Sequence, residues 1–334
     1  MAPSQQVIVT YFQDGRKESE RSRKVSMEKK NALVLSGGSI KGAFQAGAIQ
    51  AVIQSGFIPD FIYGISVGAL NGSFLCNESG RQTNAGNLLD WNSIAQKLVS
   101  FWKDNVKRPS DVIKEKSWLD VGVSALFDNF TGLVDTSPLQ SLVRKTISVD
   151  SLRASPVGLK VGAVDLINGD ITYADSSYPD IVDYIIASSS TPIIMPVISI
   201  RGMPFVDGGT REIAPLKPAI ESGAADIVVI ACDSKEMGSS SVDSKDIIKL
   251  IERVFDVMSI AIVDDDVGLA QYINGNVPQD GTPALSGPFA GKRKVIIRVI
   301  RPSSPINLDI TKFTSADIEN LIQQGYRAAS PLIV

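Results

Sequence analysis

The chain has no histidine among its 334 residues. That removes the commonest general base and the commonest metal ligand. A zinc site would have to rest on cysteine, and the two cysteines, Cys76 and Cys232, have neither metal-type spacing nor a disulfide framework. They read as buried thiols in a reducing, cytoplasmic compartment. An excess of charge of either sign is also lacking. Lys and Arg number 33, Asp and Glu 36, for a formal net charge of −3, so the basic footprint of a nucleic-acid binder is absent. Long apolar runs are missing too. The most apolar long window, residues 181–200 (IVDYIIASSSTPIIMPVISI), is interrupted by Asp183, three serines and two prolines, which makes it a poor membrane span. Residues 1–29 lack the apolar core of a signal peptide and read as a mobile tail. No repeat and no dividing linker follows, so residues 30–334 are expected to form a single domain.

About 44% of the residues are hydrophobic, enough for a sizeable core. The apolar run 31–36 stops at Gly37-Gly38 and reads as a buried strand entering a glycine turn. Small and apolar residues at helical spacing follow as far as Gly56, a helix C-cap. Residues 60–66 read as a second strand, and a second helix begins after them. This alternation predicts a largely parallel sheet flanked by helices. Residues 77–134 are less regular, with Trp91, Phe101, Trp102, Trp118, Phe127 and Phe130. These aromatics either anchor peripheral helices or line a lid. Further on, 157–166 and 170–175 read as paired strands around Asn168-Gly169, 226–232 and 294–300 as buried strands, and 245–263 as an amphipathic helix. A Gly/Pro-rich loop covers 274–292, and a closing helix follows with Ser315 as its N-cap. Asp264 to Asp266 read as a solvated acidic helix turn, since calcium-loop spacing is absent.

Gly64-Ile65-Ser66-Val67-Gly68 spells G-x-S-x-G. The pattern arises by chance about once in ten chains of this length. Its position gives it weight, because strand patterning ends and helix patterning begins at Ser66, as a nucleophile elbow requires. The following helix would point its positive end at the serine. A second element, SGGSIKG (Ser36 to Gly42), combines a glycine turn with a helix start. It suits a phosphate cradle or an oxyanion hole. It is no Walker A loop, because Gly42 follows Lys41, and no dinucleotide fingerprint, because Ser39 replaces the second glycine. The third element is FVDGG, which places Asp207 at a strand end. Without histidine, a serine nucleophile must take its base from Asp, Glu, Lys, Tyr or Cys.

In this order, the three elements resemble the patatin-like phospholipase family. The similarity covers about residues 31–232, including LSGGSIKGAFQAGAIQAV, GISVGALNG, ASSSTPIIMP and VDGGTREIAPLKPAIESGAADIVVI. That family pairs serine with aspartate and needs no histidine. The resemblance implies a three-layer α/β/α fold with Ser66 as nucleophile and Asp207 as base. It assigns Gly37, Gly38 and Ser39 to the oxyanion hole, with Lys41, Gly42, Gly64, Gly68, Gly208 and Gly209 as supporting motif positions. Ser39 stands where the family usually has a third glycine, and Ile65 and Val67 are bulkier than the usual elbow neighbours. The implied activity is hydrolysis of (phospho)lipid esters through an acyl-enzyme, without metal or cofactor. The alternatives are an acyltransferase and a catalytically silent lipid-binding scaffold. The expected partner is a lipid ester met transiently at a membrane or micelle surface. The expected contact regions are 77–134 and the 274–292 loop, with Pro288 and Phe289 exposed. Lys41 is expected to be structural or to neighbour the head group.

Overall fold

The computed structural model describes residues 30–332 apart from 118, 120, 123–129 and 239–245. The expected tail 1–29, Trp118 and Phe127 lie outside the described residues. The central sheet runs in the order β10-β9-β1-β2-β5-β8-β7, with β6 paired to β5. Its strands are β1 (Lys30–Leu35), β2 (Phe61–Ile65), β5 (Gly158–Asp165), β6 (Ile171–Ala174), β7 (Ile198–Ile200), β8 (Met203–Asp207), β9 (Ala224–Ile230) and β10 (Ile296–Ile300). β10, β9, β1, β2 and β5 are mutually parallel, whereas β6, β7 and β8 add antiparallel pairings beyond β2. A separate short ribbon joins β3 (Lys114–Glu115) to β4 (Val134–Asp135).

Strands covered on both faces carry continuous apolar runs. In β1, Leu33 and Leu35 enter one core while Ala32 and Val34 enter another on the opposite face. β9 divides in the same way, with Val228 and Ile230 on one side and Ile227 and Val229 on the other. The first face is covered mainly by α1 (Gly42–Gln54), α2 (Val67–Asn84), α3 (Trp91–Asn105) and the last helix, α9 (Ser315–Ala329). The second is covered by α7 (Leu216–Glu221) and part of α8 (Ile247–Gly275). The architecture is thus the expected α/β/α sandwich.

Several elements differ from the sequence reading. Within 77–134, Trp91–Asn105 is a regular helix whose Trp91, Ile94, Leu98 and Trp102 are buried at helical spacing. Trp91 and Trp102 therefore anchor this helix to the core, and Phe101 packs on Phe74 at 5.0 Å. α8 runs twelve residues past Val263, the end expected from the sequence, to Gly275. The closing helix is capped by Thr314, whose hydroxyl and Asp317 form a capping box, and not by Ser315. The window 181–200 begins with α6 (Ile181–Ser188) and ends in β7. Of the remaining helices, α4 is Ser137–Thr146 and α5 is Val149–Ala154.

Candidate active site

β1 lies between β2, the next strand along the chain, and β9, which joins its other side much later, so the strand order reverses at β1. In open α/β sheets, ligands bind at the carboxyl ends of strands beside such a switch point. The loop after β1 and the turn after β2 both end there. Ser66 is the residue between β2 and α2, with φ 54° and ψ −126°, a left-handed backbone unusual for a serine. The two motif glycines are required by close approach. A Cβ on Gly64 would lie 2.4 Å from the Gly68 carbonyl oxygen, and one on Gly68 would lie 2.2 Å from that of Leu35. The bulky neighbours Ile65 and Val67 are accommodated by burial in the core.

The turn is clamped by residues that the sequence analysis left unassigned. The Ser66 N–H donates to Ser188 Oγ at 2.9 Å, and Ser189 Oγ donates to the Ser66 carbonyl at 3.2 Å. The Ser190 carbonyl accepts the Asp207 N–H at 3.0 Å. The run of three serines therefore ties the elbow to the end of β8. Its signal in the sequence was three adjacent hydroxyls inside an otherwise apolar window.

Asp207 ends β8 opposite Ala163 of β5. Its Oδ1 accepts the Gly209 N–H at 2.7 Å. Burial pushes its pKa up to about 7, and the hydrogen bonds from Gly209 and from the neighbouring Ser66 hydroxyl only partly oppose the rise. Ser66 and Asp207 are 7% and 5% exposed, so both sit at the bottom of the site. Gly208 packs against the β5 backbone, where a Cβ would lie 2.5 Å from the Gly162 carbonyl oxygen.

Gly37, Gly38 and Ser39 border the same cavity. They are not equivalent as donors. The Gly37 N–H is committed to the Ile213 carbonyl at 3.0 Å, which removes it from the expected oxyanion set. The Gly38 and Ser39 N–H groups find no acceptor among the described residues. Ser39 holds φ 52° and starts a 3-10 turn, leaving its N–H free as at any helix start. Gly42 opens α1 against Val67 and Trp102. A buried polar chain fixes the loop: Gln45 Nε2 donates to the Ser36 carbonyl at 2.9 Å, Asn71 Nδ2 to Gln45 at 3.1 Å, and Trp102 Nε1 to Asn71 at 2.8 Å.

Lys41 is buried and donates to Asp233 at 2.5 Å and to Asp256 at 2.8 Å. Burial alone would favour the neutral amine, but the two carboxylates outweigh it and hold the ammonium above the ordinary lysine range. Cys76 and Cys232 are both buried, and burial pushes each thiol up to about 12, the state of inert structural cysteines.

The cavity measures about 330 Å³. One side is the strand-end floor described above. The other is a wall made by α8 (Lys249, Glu252, Arg253, Asp256) and by residues 306–310. Among the described residues, none of the lining comes from 77–134 or 274–292. Pro288 is exposed, as expected, but Phe289 is half-buried and packs edge-on against Tyr272 with ring centres 5.9 Å apart. Asp264 accepts from Arg301 at 2.8 Å, Asp265 is exposed and Asp266 is half-buried, so the acidic turn is only partly solvated. Among the described residues, no group of three or more metal-ligating side chains is gathered, and no helix is long and apolar enough to cross a membrane.

A family model described as patatin-like phospholipase matches residues 33–220, more than half of the chain. No curated protein matches it in sequence. Among solved structures, VipD from Legionella pneumophila is similar at 14% identity and a TM-score of 0.40, over 92% of this chain and 67% of that one. By the family-model match over more than half its length, in keeping with its mostly parallel sheet and serine elbow, the chain belongs to the patatin-like phospholipase family, a family of lipid acyl hydrolases.

Proposed function

We propose that the protein hydrolyses carboxylic esters of (phospho)lipids, with Ser66 as nucleophile and Asp207 as its base. The observation that carries this reading is the setting of Asp207, a buried carboxylate beside the Ser66 hydroxyl with its pKa pushed up to about 7. An ordinary carboxylate, near 3.9, is a poor acceptor for a hydroxyl proton. One near 7 matches the basicity at which general bases work best close to neutrality.

Asp207 takes the Ser66 Oγ proton as Oγ attacks the ester carbonyl carbon. The oxyanion that forms faces the free N–H groups of Gly38 and Ser39, each able to supply roughly 2.7–4 kcal/mol of stabilisation. Collapse breaks the C–O bond, and Asp207 returns the proton to the leaving alcohol. Water then gives a proton to Asp207 and attacks the acyl-Ser66 ester; collapse breaks the C–Oγ bond, Asp207 returns the proton to Ser66 Oγ, and the free acid leaves. Ile194, Met195, Ile213, Phe255 and Leu308 provide apolar lining suited to an acyl chain.

The test is labelling by a fluorophosphonate together with turnover of a short-chain aryl ester. Wild type is expected to label once, at Ser66, and to release acid into water. Ser66→Ala is expected to lose both while keeping its circular dichroism. Acyl transfer to an added alcohol in preference to water would assign the acyltransferase reading instead, and an unlabelled, inactive wild type would assign the scaffold reading.

A further inference from the structure

The N-terminal half of α8 carries apolar residues on two faces, with Ile248 and Ile251 packed on the core and a second set turned outward. Surface helices turn their apolar stripe to the core and their charges to water. Here Lys249, Glu252, Arg253 and Asp256 face the cavity. The outward residues are Ile247, Leu250, Val254, Val257, Met258 and Ala261, all exposed. Val254 is 50% and Val257 47% exposed. The spacing of three and four places these six along one helix edge, with no charge among them before the exposed Asp265. At 1.5 Å per residue the stripe is about 21 Å long. The helix is also weakly embedded. Of its 29 residues only Ser259, Val263 and Ala270 are buried, so its outward face is not the by-product of a tightly packed core element.

We propose that this stripe is the surface by which the protein docks on a lipid bilayer. The inference rests on the hydrolase reading above, because the stripe is the outer side of the wall whose inner side lines the candidate site. Two observations favour a lipid surface over a second copy of the chain. A single row of partly exposed side chains makes a patch of a few hundred Å², short of the about 800 Å² that each partner contributes to a stable protein interface. A straight helix edge free of charge also suits shallow burial along an interface plane, which requires no complementary relief. Docking this way holds the cavity wall against the surface that supplies the ester. The inner charges stay pinned by the Asp256–Lys41 contact at 2.8 Å and by Lys249 with Asp309 at 3.5 Å.

The experiment uses full-length protein carrying Ser66→Ala, so that vesicles remain intact, in co-sedimentation with phosphatidylcholine vesicles containing some phosphatidylglycerol. Adding Val254→Asp and Val257→Asp is expected to weaken binding at least about tenfold, and Val254→Trp alone to strengthen it. In the active background the same substitutions are expected to leave turnover of a soluble short-chain ester within about twofold, showing that the site is intact. Vesicle binding by the double-aspartate protein equal to its parent overturns the proposal, and so does a parent that binds no vesicles. Sedimentation velocity showing a parent dimer that the aspartates dissociate also overturns it, and makes the stripe a self-association face. Failure of wild type on the soluble ester with vesicle binding preserved would instead count against the hydrolase reading alone.

Discussion

Two carboxylates at the strand-end side of the cavity, Asp207 and Asp233, are both largely buried but keep different company. On the floor, Asp207 has a backbone N–H and a serine hydroxyl for company, and burial pushes it up to about 7. Just past β9, Asp233 meets Asp256 of the wall on one ammonium, Lys41. Burial disfavours a lone charge, which responds by shifting its pKa. Beside a counter-ion the balance changes: burial still pushes the Asp233 carboxyl up, but the Lys41 ammonium opposes it, and the pair ties together the elements that carry it. The same residue type thus makes the proposed proton acceptor at one strand end and a strut at another. The strut matters for position as well, because Lys41 ends the loop that carries the Gly38 and Ser39 N–H groups.

The contrast is broken most directly at Asp207. Asp207→Asn keeps an oxygen for the Gly209 N–H but cannot accept a proton, and is expected to lose about 10²–10⁴-fold in kcat/KM on a short-chain ester. In wild type, activity should rise with pH and level off above about 7, where Asp207 is ionised. Stability runs the other way. The folded pKa of about 7 lies above the unfolded value near 3.9, so the native state holds more protons between these limits. The cost of the carboxylate is absent below about 4, grows with pH, and is complete above about 7. Asp207→Asn should therefore melt higher than wild type at pH 8, by the equivalent of a few kcal/mol, and lose that advantage near pH 4. Thermal melts at the two pH values check it, and equal melting at pH 8 would mean that Asp207 is not held against ionisation.

Lys41→Met attacks the strut. It leaves Asp233, only 15% exposed in its side chain, without its cation, while Asp256 at 36% can turn to water. Removing one partner of a buried pair costs about 3–5 kcal/mol, and the loss should appear as a lowered urea midpoint at pH 7. The molecules that remain folded should still hydrolyse ester. A Lys41→Met protein as stable as wild type yet as inactive as Ser66→Ala would move the base from Asp207 to Lys41.

The floor was legible in the sequence and the wall was not, for a physical reason. The floor is built from short local signals: glycines where backbones touch, a serine between strand and helix patterning, an aspartate ending a strand. Each is fixed within a few residues. Even so, the Gly37 N–H is consumed by Ile213, a contact across 176 positions that no local pattern announces. The wall depends on which way α8 faces. Its first four turns are apolar on two faces, Ile248 and Ile251 on one and Val254 and Val257 on the other, with a charged edge beside them, so periodicity signals an amphipathic helix without fixing which apolar face turns inward. Long-range pairings, of Asp256 with Lys41 215 positions away and of Lys249 with Asp309, turn the charged edge inward. For the same reason the Ser188–Ser190 clamp was missed. Hydroxyls are common in turns, and only the tertiary fold brings these to the Ser66 backbone.

The smallest expected effect gives the sharpest test. Glu252, on the wall, is pushed up to about 7 by burial and by the nearby Asp309 and Asp256 charges, with Lys41 only partly opposing. It titrates in the same range as Asp207, so an inflection near pH 7 in the rate could arise on either side of the cavity. Glu252→Gln separates them. If the floor controls the chemistry, the variant keeps the inflection near 7 and its plateau kcat/KM stays within about twofold of wild type. Its stability should still improve at pH 8. Its folded pKa also lies above the unfolded value near 4.3, so its ionisation burdens the native state increasingly from about pH 4 to about pH 7. The gain should be smaller than that of Asp207→Asn, because Glu252 remains partly in solvent, whereas Asp207 is 5% exposed. An inflection that moves with Glu252→Gln would place the controlling proton on the wall and remove the distinction between base and strut.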